Sequence, residues 1–344
     1  ITYPCVLLPG FIDSHTHVCH YGNRSDEYAK RNSGISYQQI LEEGGGIHNT
    51  MNSTSNSTDE QLTDDTLNRL KRHFQEGVLT CEVKSGYAPN LEDEVRMLRI
   101  INEIDSSNDI DLIPTCLAAH VTPKKYESSK KYLDSIVNDL LPIIKEENLS
   151  NRVDIFIEEK AFSITEASNF LEKIKSDFYI TAHANQFTSG GLKVGVDNGA
   201  VSVDHLEVIT DQEIDYLSKS DTTGVVLPGC SLGLGIPFAP ARKLLDYNCK
   251  VSIASDWNPG SAPMGDLLMQ ASLLGSTEKL SNAEVLAGIT CRAANALSLE
   301  DRGSLENGKI ADMIGFKTND FRDILYNQGK LKPSFICKRG KIYN

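Results

Sequence analysis

The chain has 344 residues, 40% hydrophobic and 24% charged, with 34 basic against 47 acidic side chains for a formal charge of −13. That balance argues against a nucleic-acid partner or an anionic membrane surface, both of which want a basic face, and no run reaches the ~18–20 apolar residues of a membrane span. The eight cysteines show no CxxC spacing and read as free thiols of a reducing compartment, which makes the cytoplasm the default location.

In chain order, residues 6–12 form a short apolar run. Residues 48–65 are rich in Ser, Thr and Asn and read as a surface loop leading into a helix over 60–74. Strand-length runs then follow at 80–84, 112–119, 153–157, 179–183, 200–205, 224–228 and 250–255. The helical patterns after them cover 91–104, 128–147, 164–175, 192–198, 211–218, 241–248 and a long tail through Leu299. Strand-then-helix repeated about eight times is the rhythm of an α/β protein with a TIM-like (β/α)8 barrel. A doubly wound open sheet has the same rhythm. The polar residues decide for the barrel, because they collect at the C-terminal ends of many different strands. Beyond Asp301 a turn-rich stretch and two strand patterns, 313–316 and 334–342, are too short to hold a core of their own.

Four of these run ends carry metal-ligand chemistry. In Phe11-Ile-Asp-Ser-His15-Thr-His17 the two histidines stand at i and i+2, on one face of an extended chain. Two imidazoles side by side suit a divalent ion such as zinc, with nitrogen ligands near ~2 Å. His20 would point elsewhere, to the surface. Thr181-Ala-His183, Val203-Asp-His205-Leu-Glu207 and Ser252-Ile-Ala-Ser-Asp256 end three further runs. Singly, each reads as an ordinary hydrogen-bonded polar residue; together they form a convergent metal-and-base set. Glu158, Glu159 and Lys160 are the residues available to bridge to a second metal.

Arg24, in an otherwise acidic protein, is a candidate fork for a substrate carboxylate. Tyr87, in Lys84-Ser-Gly-Tyr87, could donate to the same carboxylate, and Lys84 could be structural. His120 ends the run at 112–119 and belongs to the site. Asn258-Pro-Gly260-Ser261 is a turn whose N–H groups and side chains could bind a polar substrate.

Taken with Glu82-Val-Lys-Ser-Gly-Tyr87, Gly44-Gly-Gly-Ile47, His183-Ala-Asn-Gln186, Pro237-Phe-Ala-Pro-Ala-Arg242-Lys and Ser255-Asp256-Trp-Asn258-Pro-Gly260-Ser261, these residues resemble the imidazolonepropionase family of the amidohydrolase superfamily. The resemblance runs from about residue 7 to the C-terminus. It implies a metal-dependent barrel over residues 9–300 beside a small β-sandwich made from 1–8 and 301–344, with most of the sandwich's N-terminal half expected to be missing. It also implies one zinc or iron ion on His15, His17, His183 and Asp256. Arg24, Tyr87, His120, Gln186, Asn258, Gly260 and Ser261 match substrate contacts, and His205 matches the histidine beside the reactive water. Asp256, His205 and Gln186 are then the catalytic group. Gln186 departs from the Glu common in the family; it hydrogen-bonds but cannot take a proton at neutral pH.

The implied activity is hydrolysis of 4-imidazolone-5-propanoate to N-formimidoyl-L-glutamate, a step of histidine degradation. The alternatives are another cyclic amidohydrolase or aminohydrolase, or a non-catalytic metal-binding homologue. The expected partner is the small-molecule substrate, with a homodimer left open.

Overall fold

Glycine divides the first apolar run. Residues 6–12 give two strands in two different sheets, β1 (Val6–Pro9) and β2 (Phe11–Asp13). Gly10, between them, passes so close to the barrel that a Cβ there would stand 2.6 Å from Leu79 Cδ1. The computed structural model describes residues 4–35, 39–40 and 45–343. Gly44 of the glycine-rich motif therefore lies outside the described residues, as do the first three residues of the expected N-terminal segment.

From β2 the chain winds a parallel ring: β3 (Val78–Lys84), β4 (Asp111–Ala119), β5 (Arg152–Ile157), β6 (Tyr179–Ala184), β7 (Ser202–His205), β8 (Thr223–Val226) and β9 (Lys250–Ile253). Each strand pairs in parallel with the next. Most of their residues are buried, as expected for strands covered on both faces, which read as continuous apolar runs. The ring closes just beyond the ends of β2 and β9, where Thr16 bridges Trp257. Across that seam His17 N–H donates to Trp257 O at 3.0 Å and Asp256 N–H to His15 O at 3.1 Å. The expected (β/α)8 barrel is present. Beside it β1 joins β10 (Met313–Phe316), β11 (Phe335–Lys338) and β12 (Lys341–Tyr343) in a four-stranded antiparallel sheet.

Capping explains where several helices start. Thr58, Ser163, Thr210 and Ser281 each form a capping box with Gln61, Glu166, Glu213 and Glu284, which satisfies orphan N–H groups in both directions. Two expectations need correction. The stretch 48–65 is not a loop: a helix covers Ile47–Asn56 and buries Thr50, Met51 and Thr54. Its inward face is threonine and one methionine, so no aliphatic period announces it. The long tail to Leu299 is three helices, Leu267–Glu278, Asn282–Gly288 and Cys291–Ala296. Lys279 at φ +58° ends the first and the Ser281 capping box starts the second. Among the described residues no helix is long and apolar enough to cross a membrane.

Candidate active site

The ends of β2, β6 and β9 bring four donor groups together. His17 Nε2 lies 3.2 Å from His183 Nε2. Asp256 Oδ1 lies 3.5 Å from His15 Nε2 and 3.4 Å from His17 Nε2. All four side chains are buried.

Their outer partners fix which ring atoms face inward. His15 Nδ1 contacts Asp204 Oδ2 at 2.6 Å and His183 Nδ1 contacts Asp154 Oδ1 at 3.1 Å. A carboxylate only accepts, so each Nδ1 carries the proton and each Nε2 turns a lone pair to the centre. Among the described residues His15 Nε2 has no hydrogen-bond partner. Burial, reinforced by neighbouring cationic groups, holds the His15 and His17 imidazoles well below their ordinary pKa. His183 is lowered to about 4 by burial despite Asp154. Neutral imidazoles are the ligand form. A proton on any one nitrogen would serve a single contact, whereas one cation at the centre serves all four. Separations of 3.2–3.5 Å are the edges of a tetrahedron with bonds of roughly 2.0–2.1 Å. The residues fit a divalent metal.

A buried chain of charges supports this group. Lys84 Nζ sits between Glu82 Oε1 at 2.6 Å and Asp154 Oδ2 at 2.7 Å. Burial opposes the ammonium charge, but Asp154 and Glu82 outweigh it and raise the Lys84 pKa. The other Glu82 oxygen accepts from Thr16 N–H at 3.1 Å, which pins the backbone between the two metal-facing histidines.

Asp256 stands on a strained backbone, φ +49°, a region sparsely used by non-glycine residues. Its Oδ2 accepts from Asn258 Nδ2 at 2.8 Å and Ser261 Oγ at 3.2 Å, leaving Oδ1 for the centre. Burial pushes the Asp256 carboxyl up to about 6, against the pull of His205 and these donors. His205, on β7, has its ring 5.4 Å from that of His183. Burial disfavours its charge, yet Glu207 and Cys230 hold the imidazolium well above the usual range.

Tyr87 and His120 line the other side, their rings 5.8 and 5.5 Å from that of His17. His120 Nδ1 faces Gly86 O at 3.2 Å. The carbonyl can only accept, so His120 Nε2 is left as an acceptor. Burial lowers the His120 pKa to about 3. Arg24 reaches Gly260 so closely that a Cβ there would collide with Nη1.

Residues 6–342 match the sequence profile of the Amidohydrolase family. The chain is 39% identical to the imidazolonepropionase of Caldanaerobacter subterraneus subsp. tengcongensis over 329 residues, covering 94% of this chain and 79% of that protein. It is 38% identical to the imidazolonepropionase of Christiangramia forsetii over 342 residues, covering 98% and 83%. The chain belongs to the amidohydrolase family, among its imidazolonepropionases. Solved structures share the fold at low identity. A 5-methylcytosine deaminase from Klebsiella pneumoniae has a TM-score of 0.75 at 13% identity, covering 98% of this chain and 87% of that one. An atrazine chlorohydrolase from Arthrobacter aurescens, solved with zinc, has 0.70 at 14%, covering 98% and 83%.

Within this imidazolonepropionase fold, His15, His17, His183, His205, Asp256, His120 and Tyr87 gather around one centre, with Arg24 at Gly260. Gln186 is buried and its Nε2 donates to Cys230 Sγ at 3.1 Å. Asn258 is engaged within its own turn. Its Oδ1 accepts from Gly260 N–H at 2.7 Å and Ser261 N–H at 2.8 Å, while Nδ2 also reaches Ser261 Oγ at 2.8 Å. His20, expected at the surface, is buried, and its Nδ1 lies 2.9 Å from His17 O. Glu158 accepts from the N–H groups of Gln186, Phe187 and Thr188 and so anchors the loop after β6, while Glu159 and Lys160 are exposed. Asp154 and Asp204 had no role in the sequence reading. Their signal was a carboxylate inside an apolar strand run, where a buried charge demands a partner.

Proposed function

We propose that the chain hydrolyses the cyclic amide of 4-imidazolone-5-propanoate to N-formimidoyl-L-glutamate. One observation carries the reading: three imidazole nitrogens and the Asp256 carboxylate converge, two of the rings steered by Asp204 and Asp154, in a chain of this family. His15, His17, His183 and Asp256 would hold one divalent ion, zinc or iron. When bound, such an ion polarises a carbonyl and lowers the pKa of water toward neutrality.

The protein's own groups do the rest. Asp256, fixed through Oδ2 by Asn258 and Ser261, takes the proton of the attacking water. Proton transfer to a carboxylate held in this way is general-base catalysis. The water oxygen bonds to the ring carbonyl carbon, and the His205 imidazolium stabilises the charge that develops there. Collapse breaks the bond from that carbon to the ring nitrogen, and Asp256 returns the proton to the departing nitrogen. His120 Nε2, an acceptor, receives a ring N–H. Arg24 and Tyr87 anchor the propanoate. Asn258 and Ser261 act through Asp256, and Gln186 orients the ring without moving a proton.

The test is turnover of freshly generated imidazolonepropanoate by protein of measured metal content, compared with Asp256→Asn and Gln186→Ala at matched occupancy. Asp256→Asn should lose activity by on the order of 10²–10⁴-fold, and Gln186→Ala should lose less. Equal losses, or substantial turnover in Asp256→Asn, would refute the assignment of the base.

A further inference from the structure

Behind His205 lies a second group of metal-type donors. His205, Glu207 and Cys230 each place a ligand atom within 4.8 Å of the other two. His205 Nδ1 and Glu207 Oε2 are 3.5 Å apart, with side chains 4% and 2% exposed. Among the described residues neither atom has a hydrogen-bond partner. They form a buried ion pair without hydrogen-bond geometry, an imperfect pairing that is costly in a dry site. The spacing matches an edge of a tetrahedral site with bonds of roughly 2.0–2.2 Å. The surrounding groups complete the case. Ser231 Oγ donates to Glu207 Oε1 at 3.1 Å, which leaves Oε2 for an ion. Gln186 Nε2 donates to Cys230 Sγ at 3.1 Å, the outer contact that steadies a thiolate ligand. A carboxylate in place of Gln186 would repel that thiolate.

We propose that His205, Glu207 and Cys230 form a second divalent-cation site, selective for thiophilic ions such as zinc, cobalt or cadmium. It is separate from the centre formed by His15, His17, His183 and Asp256. The site takes His205 through Nδ1, Glu207 through Oε2 and Cys230 as thiolate, the Nδ1 proton of the imidazolium and the thiol proton both passing to solvent on binding. Three protein ligands leave a fourth position open. Thiolate, imidazole and carboxylate together favour these ions over magnesium or calcium, which prefer all-oxygen sites. Filling it removes the ion-pair partner of His205 and adds positive charge beside the imidazole. Excess zinc therefore inhibits turnover, a consequence that rests on the catalytic role of His205 proposed above.

The experiment adds cobalt(II) to protein already carrying one equivalent of its resident metal. It reads bound metal after equilibrium dialysis together with the near-ultraviolet thiolate-to-cobalt absorption. A second equivalent should bind and bring that absorption with it. Cys230→Ala should lose both while keeping the first equivalent. If that variant does not fold, Glu207→Gln, which keeps the thiol, should weaken the second equivalent by at least about tenfold, the lower end of what even an outer partner is worth to a metal. No thiolate absorption in the parent, absorption that survives Cys230→Ala, or unchanged affinity in Glu207→Gln each overturns the site. The readout needs no substrate, so a chain that binds the second equivalent without turnover would sink the proposed activity and leave this site standing.

Discussion

The two edges of the Arg24 guanidinium face different partners. Nε and Nη2 hold Glu27 Oε2 at 2.8 and 2.7 Å, while Nη1 lies against Gly260. Glu27 Oε1 accepts in turn from Gly46 N–H at 3.0 Å and Asn49 Nδ2 at 3.2 Å. The arginine is thus pre-positioned, with Nη1 turned to Gly260 in the turn after Asp256. Arg24→Met should raise KM for imidazolonepropanoate by the loss of one charge-assisted contact, about 2 kcal/mol or roughly 30-fold, with kcat less affected. Equal loss on an analogue lacking the carboxylate would show that Arg24 is not the anchor. Glu94 gives a pH signature outside the metal group. Both its oxygens face Gly86 N–H, at 3.1 and 3.2 Å, in the loop that carries Tyr87. Burial raises its carboxyl pKa to about 7. The native state then keeps a proton that the unfolded chain, near 4.5, has already released. Its contribution is fully present below about pH 4.5 and is lost as pH rises through 7, on the order of 3 kcal/mol in all. Urea denaturation of the parent and Glu94→Gln at pH 5, 6, 7 and 8 checks this: the stability of the parent relative to the variant should fall along that series, and a flat difference would rule it out. The histidines and Asp256 were legible in the sequence because each ends an apolar run. Asp154, Asp204 and Glu94 were not, because a buried carboxylate is explained only by a partner remote in sequence.

At the level of elements, the parallel strands and their helices were readable from alternation alone, since short, mostly buried runs alternate with longer amphipathic stretches. The failures share a cause. The helix Ile47–Asn56 buries threonines, residues that also occur in loops, and so carries no period. The division at Gly10 depends on Leu79, which is close in space only once the barrel exists. Arg152, at the start of β5, is the same kind of case. It is 2% exposed, yet its guanidinium donates to Leu297 O at 3.0 Å and Ala296 O at 3.2 Å. It caps the last turn of the helix Cys291–Ala296, whose terminal carbonyls have no intrahelical donors. Arg152→Ala should remove that cap and leave a cavity, costing about 3 kcal/mol. Denaturant midpoints would show the loss, and KM should not move, because this residue stands at the opposite end of its strand from the site. A change in KM without a change in stability would contradict the capping role.

Over the whole molecule, the weakest link in the ring is its closure. Strands β3 to β9 are joined by ladders of two to six residue pairs, whereas the β2 and β9 backbones meet beyond their ends through the single Thr16–Trp257 bridge and the two hydrogen bonds beside it, with Asp13 accepting from Ser255 N–H at 2.9 Å and the Ser14 and Ser252 hydroxyls 3.0 Å apart. His15 and His17 come from one side of that seam and Asp256 from the other. Under the metal assignment proposed above, the ion ties the first and last barrel strands together where the backbone does so least. Anything that binds the native state alone also stabilises it, by about 2.7 kcal/mol at a ligand concentration of 100 times Kd. That gain should not be spread evenly, because local opening draws first on regions with few hydrogen bonds. Removing the metal with a chelator should therefore raise amide exchange chiefly at residues 15–20 and 255–258. Strands β4 and β5, which supply no ligand, should change little. Zinc added back should restore protection at the seam together with thermal stability. Hydrogen-exchange mass spectrometry on the chelated and reloaded protein reads both regions in one experiment. A uniform rise across the barrel, or one centred on β4 and β5, would mean that the ion does not act as the clasp of the ring.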